Sequence, residues 1–164
     1  LSGYYLVKYL DDRIDHMKGG NTSMNFQMMR YAEVLLNYAE AINEASNSAQ
    51  NRQLAVAQLN AIRARAGITG TLDATNFTQE QLRERIRKER RVELCFEEHR
   101  FFDIRRWDIA KEVLNKPAVG IAKEGGQYVR IKVEDRIFNE RMNFMPVPLS
   151  DVNNCPLIYQ NEGY

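Results

Sequence analysis

Two glutamates at helical spacing are the first candidates for chemistry. Glu93 and Glu97 lie four residues apart in a segment with helical periodicity, so both side chains leave the same face. Paired carboxylates act as general acid and base in glycoside hydrolysis, where they flank the bond that is cleaved. Two carboxylates on one helix face leave no cleft between them. We therefore predict no catalytic residue, and a hydrolase stays the less favoured alternative.

A structural role suits these carboxylates better. Glu93 shares a stripe with Leu82, Ile86, Glu89 and Phe96, and buried carboxylates are costly unless they are paired. Two arginines follow closely, and a guanidinium fork matches a carboxylate in geometry. We expect a partly buried network made of four residues: Glu93, Glu97, Arg100 and Arg106.

Cys95 and His99 could supply two metal ligands from one helix face, but a zinc site needs at least three. The other histidine is His16, and the chain has no Cys-x-x-Cys or His-Glu-x-x-His motif. We predict no metal site and no cofactor, with Cys95 a buried thiol and His99 on the surface. A disulfide between Cys95 and Cys155 is the less favoured alternative. Nucleophile elbows, phosphate loops and dinucleotide fingerprints are also absent from the sequence.

Aromatic side chains are the plausible ligand contacts, since exposed rings stack on sugars or peptides. The chain has eight tyrosines, seven phenylalanines and one tryptophan. Tyr128, in an expected hairpin, and Tyr159, in the tail, are the candidate ligand-binding residues. The others in strongly patterned segments fit core positions better: Tyr31, Tyr38, Phe96, Phe101, Phe102 and Trp107.

Composition limits the class of protein. The chain has 164 residues, enough for one domain, and 44% of them are hydrophobic, which is typical of globular proteins. Lysine and arginine number 23 against 22 aspartates and glutamates, so no basic excess favours nucleic acid as a partner. No apolar run reaches the roughly 20 residues of a membrane span. The first residues do not read as a signal peptide, so we expect either a cytosolic start or a start inside a longer protein.

Periodicity predicts a helix over about 25–45, with Met28, Tyr31, Leu35, Tyr38 and Ile42 on its buried stripe. A second helix is expected over 49–66, followed by a glycine suited to a left-handed cap. The short loop between them predicts a helix hairpin of the tetratricopeptide type, although no second copy follows at a fixed period.

The remaining elements are a third helix over about 78–98, opened by a capping box of Thr78 and Gln81, and helical structure to about 114. Alternation over 128–133 and a glycine pair predict a β-hairpin with 118–122. We expect a short strand over 4–10, and an irregular tail in which Ser150 caps a last helical turn. The fold class is therefore mainly α, with one small β-hairpin.

Several motifs resemble the SusD/RagB family, in the family's order and over nearly the whole chain apart from roughly 110–140. They are RYAE at 30–33, LNYAEA at 36–41, NAIRARAG at 60–67, ERRVEL at 89–94, RFFD at 100–103, PVP at 146–148 and QNEGY at 160–164. The sequence departs from the family pattern at Glu98, where glycine is common, and at Glu162, where proline is usual. Asp151 replaces a common glutamate, and Cys95 a small apolar residue.

The resemblance implies a helical, tetratricopeptide-like scaffold without catalysis. It implies an outer-membrane, surface-exposed lipoprotein that binds an oligosaccharide, or in some members a peptide, and passes it to a SusC-like TonB-dependent transporter. Residues 1–164 would then be the C-terminal portion, with the membrane reached only through a lipid anchor upstream. The open alternative is a structural or interaction portion whose ligand site lies elsewhere.

Overall fold

The computed structural model describes residues 6–19, 21–25 and 27–164, and helices dominate it. The elements in chain order are α1 (Tyr31–Ala45), α2 (Ala49–Arg65), α3 (Gln79–Glu93), α4 (His99–Arg106), α5 (Ala110–Leu114), β1 (Ala118–Glu124), β2 (Gln127–Glu134) and α6 (Leu149–Asn154). Short 3-10 helices span His16–Lys18, Ala74–Asn76 and Glu140–Asn143. The mainly α prediction is confirmed. The chain divides into two compact units, the helical unit (Val7–Arg100) and the C-terminal unit that contains Phe101–Tyr164.

The helical unit is built on the predicted helix hairpin of α1 and α2, against which α3 packs. Ser48 caps α2 by accepting a hydrogen bond from the Asn51 N–H at 3.1 Å, and Gly67 ends the helix with φ +73°. Both halves of the Thr78–Gln81 capping box form at the start of α3. The core consists of Ala32, Leu36, Ala39, Ala55, Val56, Leu59, Ile62, Ala74, Leu82, Ile86 and Leu94.

The predicted buried stripe of α1 is only partly right. The helix begins at Tyr31 rather than near 25, and its fully buried residues are Ala32, Leu36, Ala39 and Asn43. Leu35 and Ile42 pack against that core, but Tyr31 is 73% exposed and Tyr38 45%. The helix carries apolar residues on two adjoining stripes, and only one of them is covered in the helical unit.

Helix α3 ends at Glu93, five residues before the predicted end. The chain then turns sharply, because Phe96 and Glu98 both adopt φ +63°, in the left-handed region that favours glycine. Glycine is the common residue at position 98 in the family that the motifs resemble, so the departure at Glu98 has a steric cost. The predicted core position of Phe96 is wrong as well, since that ring is 66% exposed.

The C-terminal unit has a small core of Ile104, Ala110 and Phe138. Its predicted hairpin is confirmed, with Lys123 opposite Tyr128 and Glu124 opposite Gln127. Phe101 and Phe102 stack edge to face but lie on the surface, against their predicted core positions. The half-buried Trp107 stacks with Arg106.

Three smaller predictions have mixed outcomes. Of the predicted strand over 4–10, residues 4 and 5 lie outside the described residues, and 6–10 form no strand. Ser150 lies inside α6, which begins after Pro148, so the predicted cap is wrong. In the parts of the chain that are described, no helix has the length and apolar character of a membrane span.

The left-handed backbone at Glu98 gives a stability prediction. Glu98→Gly should raise the free energy of unfolding by about 0.5–1 kcal/mol, because glycine adopts this φ without steric cost. Lys88→Gly, at an exposed position inside α3, is the matched control and should lose about 1 kcal/mol. Urea denaturation measures both. A neutral or destabilising Glu98→Gly would show that the turn is not strained by its side chain.

Candidate functional site

A network of charges centred on Arg30 lies where α3 ends. The guanidinium donates to both carboxylate oxygens of Glu97, each at 2.7 Å, and to Oε1 of Glu93 at 2.6 Å. The three side chains are 17%, 7% and 11% exposed respectively. Charge-assisted forks of this kind are short and strong, and they offset the cost of burying the carboxylates.

The same cations cap the C-terminal end of α3. Arg30 also donates to the backbone carbonyl of Glu93 at 2.7 Å, and the Lys8 ammonium donates to the carbonyls of Glu93 and Cys95 at 3.0 and 2.8 Å. Lys8 forms an ion pair with Glu97 as well. The last carbonyls of a helix lack intrahelical partners and carry partial negative charge, so cations stabilise them.

Helix α2 contributes the remaining cations from its last turn. Arg65 donates to both oxygens of Glu93 at 2.7 and 2.8 Å, and Arg63 donates to Glu89 at 3.0 Å. Glu89 also pairs with Arg85 on its own helix. The carboxylates on the inner face of α3 are therefore each paired with arginine, which is the condition for burying them.

Two members of the predicted network, Glu93 and Glu97, lie together at this place. They pair here with Arg30, Arg65 and Lys8. Arg106 donates to Asp103 at 3.0 Å and stacks on Trp107, and Arg100 is half-buried at the start of α4. The actual cations come from 28 to 89 residues upstream, so helical spacing alone could not identify them.

The electrostatics of the network argue against acid catalysis. Burial would raise the pKa of Glu97, but the hydrogen bonds from Arg30 and Lys8 outweigh it and lower the pKa to about 2. The hydrogen bonds that Arg30 donates to Glu97 raise the pKa of Arg30. A carboxyl with this pKa holds no proton near neutral pH, and therefore cannot serve as a general acid there.

The predicted metal candidates do not form a site. Cys95 is exposed, which corrects the expected buried thiol, and the half-buried His99 faces Glu33 with 3.6 Å between Nε2 and Oε2. Cys95 and Cys155 are both free thiols. No group of three possible metal ligands occurs among the residues that the structure describes.

The C-terminal unit contains a cavity of about 690 Å³, within the range of ligand pockets. Its lining comes from the end of α4, from α5, from the 3-10 helix at 140–143 and from the tail. The lining residues are Asp108, Lys111, Glu140, Arg141, Asn143, Phe144, Glu162 and Gly163. These residues lie far apart in the sequence and carry no motif, so they were not predicted.

The C-terminal tail forms one wall of this cavity and is held by Arg141. The guanidinium donates to the Gly163 carbonyl at 2.8 Å and lies 5.1 Å from the centre of the Tyr164 ring. Tyr164 donates its hydroxyl to the Phe144 carbonyl at 3.2 Å. Gly163 adopts φ +88°, and a Cβ there would lie 2.9 Å from Cβ of Arg141. Only glycine satisfies both conditions.

Side-chain amides hold the irregular backbone of this unit. Gln160 accepts from the Val147 N–H and donates to its carbonyl, both at 2.8 Å. Asn115 does the same for Phe138, at 2.8 and 3.1 Å. Since an amide carries one acceptor and one donor group, it can replace a neighbouring strand. We call these paired contacts amide clamps.

The two predicted ligand-binding tyrosines are both on the surface of the C-terminal unit. Tyr128 is 78% exposed on β2, and Tyr159 is 80% exposed in the tail. Neither is among the residues that line the cavity. Their rings are available for stacking, and their role as ligand contacts stays a prediction.

The fold and these motifs define a mainly helical scaffold, and comparison with known proteins identifies its family. The model of the SusD family matches residues 1–164, so the chain belongs to the SusD family. It is 41% identical over 152 residues to SusD-like protein P2 of Formosa agariphila, covering 89% of this chain and 27% of that protein. SusD-like protein P25 of the same bacterium is 28% identical over 171 residues, covering 98% of this chain and 29% of that protein.

A solved structure gives the same result. The crystal structure of a SusD-like protein from Bacteroides fragilis matches with a TM-score of 0.73 and 38% identity. The match covers 84% of this chain and 25% of that one. The chain therefore spans about a quarter of the length of the relatives it matches.

Protonation of Glu97 gives a second prediction. The pKa of Glu97 is about 2 in the folded chain, below the value near 4.3 of a glutamate in an unfolded chain. The ionised side chain therefore stabilises the fold fully above about pH 4.3, and this stabilisation is lost as the pH falls toward 2. The contribution is on the order of 1–3 kcal/mol at neutral pH. Glu97→Gln should lower the free energy of unfolding at pH 7. Between pH 5 and 2, the free energy of unfolding should fall less in this variant than in the parent. Urea titrations at several pH values measure the difference.

Glu124→Gln is the matched control, because Glu124 is exposed and has no ion pair among the described residues. Its pH profile should follow that of the parent. A Glu97→Gln profile parallel to the parent's would contradict the pairing of Glu97 with Arg30 and Lys8.

Proposed function

We propose that this chain is the C-terminal portion of a surface lipoprotein of the outer membrane, which binds an oligosaccharide and delivers it to a SusC-like TonB-dependent transporter. The observation that carries the proposal is the family match over residues 1–164. SusD-like proteins are in general glycan-binding proteins of the cell surface. The protein acts by binding and not by catalysis, in keeping with the pairing of Glu93 and Glu97 with cations.

Exposed aromatic rings support glycan binding by this portion. Tyr128 and Tyr159 offer flat apolar faces to the C–H groups of a sugar ring, and their hydroxyls can exchange hydrogen bonds with sugar hydroxyls. The cavity of the C-terminal unit adds carboxylates, an amide and the exposed ring of Phe144. A few polar groups beside apolar surface are the usual composition of a small-molecule site.

The uncovered stripe of α1 supports the proposal that the chain is part of a longer protein. Tyr31, Val34 and Tyr38 are spaced three and four residues apart and are 73%, 46% and 45% exposed. A contiguous apolar face of this kind marks an interaction surface. In relatives, about three quarters of the protein lies outside the matched region, which is enough chain to cover such a face.

Substitution of the two tyrosines tests glycan binding directly. In the full-length protein, Tyr128→Ala and Tyr159→Ala should each weaken retention in gels that contain the recognised polysaccharide, by about three- to tenfold, since the stacked ring is lost. Tyr128→Phe and Tyr159→Phe keep the ring and should retain most of the affinity. Unchanged retention in both alanine variants would favour the alternative, in which this portion is structural and the ligand site lies elsewhere.

Fractionation of the source cells tests the location and the partner. An antibody to this chain should detect a protein several times larger than 19.1 kDa, in the outer-membrane fraction and labelled by a lipid precursor. Cross-linking should join it to a TonB-dependent transporter. A band near 19.1 kDa outside the membrane fraction would contradict the lipoprotein proposal.

The apolar stripe gives a prediction for the isolated chain. Residues 1–164 alone should self-associate as concentration rises, and Tyr31→Lys with Tyr38→Lys should reduce association, because charge disfavours burial of that face. Size-exclusion chromatography with light scattering measures the mass, and Tyr128→Lys with Tyr159→Lys, at two exposed positions away from α1, is the control with equal added charge. A chain that stays monomeric at about 100 μM would contradict the assignment of the α1 stripe as an interaction surface.

A further inference from the structure

The cations that line the cavity of the C-terminal unit are already engaged. Lys111 pairs with Glu140 at 2.6 Å, and this pair raises the pKa of Lys111 and lowers that of Glu140. Arg141 is committed to the Gly163 carbonyl and to the ring of Tyr164. The charge of Lys111 is therefore balanced by Glu140, whereas the contacts of Arg141 are to neutral groups and leave its charge in place.

The carboxylates of the lining are not balanced in the same way. Asp108 and Glu162 line the cavity, and neither has an ion-pair partner among the described residues. The lining carries three carboxylates against the two cations Lys111 and Arg141, so a ligand in the cavity meets a net negative charge. Placing a uronate or sulfate group beside these carboxylates costs free energy, because like charges brought together at a binding site repel.

The same groups suit an uncharged sugar. Each carboxylate can accept two hydroxyl hydrogen bonds, so it matches the neighbouring hydroxyls of a pyranose ring, and hydrogen bonds to charged acceptors are strong. Phe144 is 67% exposed and gives the cavity an apolar surface for the C–H face of a ring. A basic peptide would also be drawn to the net negative charge of the lining, and the experiment below separates it from a neutral sugar.

We propose that this cavity is a binding subsite for an uncharged oligosaccharide, with Asp108 and Glu162 accepting hydrogen bonds from sugar hydroxyls beside Phe144. The proposal rests on the proposed function and deepens it by naming the class of glycan. Uronic-acid and sulfated glycans are excluded from the subsite by the two carboxylates. The tail held by Arg141 keeps Glu162 in position.

A glycan array probed with the full-length protein tests the class of ligand. The probes are neutral gluco-, manno-, xylo- and galacto-oligosaccharides, together with oligogalacturonate, oligoalginate and sulfated galactan. Fully methyl-esterified oligogalacturonate gives a matched pair, in which the ring is kept and the charge removed. Neutral glycans should bind. If either member of the matched pair binds, it should be the methyl-esterified oligogalacturonate and not the charged one.

Two variants test the subsite itself. Asp108→Asn and Glu162→Gln keep the shape of each side chain and remove its charge, and asparagine tolerates the φ of +54° at position 108. Each should weaken binding of the neutral glycan by about tenfold. Glu134→Gln, an exposed carboxyl of β2 that does not line the cavity, is the control and should leave binding unchanged. Equal melting temperatures verify that the variants fold.

The outcomes separate this inference from the proposed function. Binding of a neutral glycan that neither variant weakens would overturn the subsite and leave glycan binding standing. Selective binding of anionic glycans would overturn the class of ligand. Binding of a lysine-rich peptide instead of any glycan would overturn both proposals.

Discussion

The helical unit depends on the burial of two carboxylates beside one arginine. Glu93 and Glu97 lie where α3 must end, on a chain that next passes through two left-handed residues. Arg30 pairs with both carboxylates and also donates to the Glu93 carbonyl at the helix end, so one side chain serves charge and backbone together. Without Arg30, Glu97 would keep Lys8 and Glu93 would keep Arg65, but losing a partner from a buried ion pair costs far more than an exposed ion pair contributes.

The C-terminal unit solves a different problem, because its core is small and its backbone irregular. Amide clamps at Asn115 and Gln160 supply the hydrogen bonds that a sheet would otherwise provide. In the helical unit, Asn60 clamps Leu72 in the same manner. Asn60 and Gln160 both lie in family motifs, so these motifs describe how loops are fixed. The cavity is built on loops fixed in this way, as binding sites often are.

Sequence patterns correctly predicted the structural elements that are determined by residues close together in the chain. The capping box at Thr78, the glycine end of α2 and the β-hairpin each depend on a few neighbouring residues, and each was confirmed. The exposure of Tyr31 and Phe96 was not predicted, because an apolar pattern shows that a face can be buried but not what covers it. The partners of Glu97 and the lining of the cavity are brought together by tertiary folding, so spacing along the chain carried no sign of them.

A double-mutant cycle between Arg30 and Glu97 tests the central role of the network most directly. Urea denaturation gives the free energy of unfolding for Arg30→Met, Glu97→Gln and the double variant. Each single change should be strongly destabilising, and the double should fall short of their sum by about 1–3 kcal/mol, because the second change removes the unpaired partner. Arg30→Met combined with Glu44→Gln, whose carboxylate binds Arg83, is the control and should be additive. Additivity of Arg30 and Glu97 within about 0.5 kcal/mol would contradict the role assigned to the network.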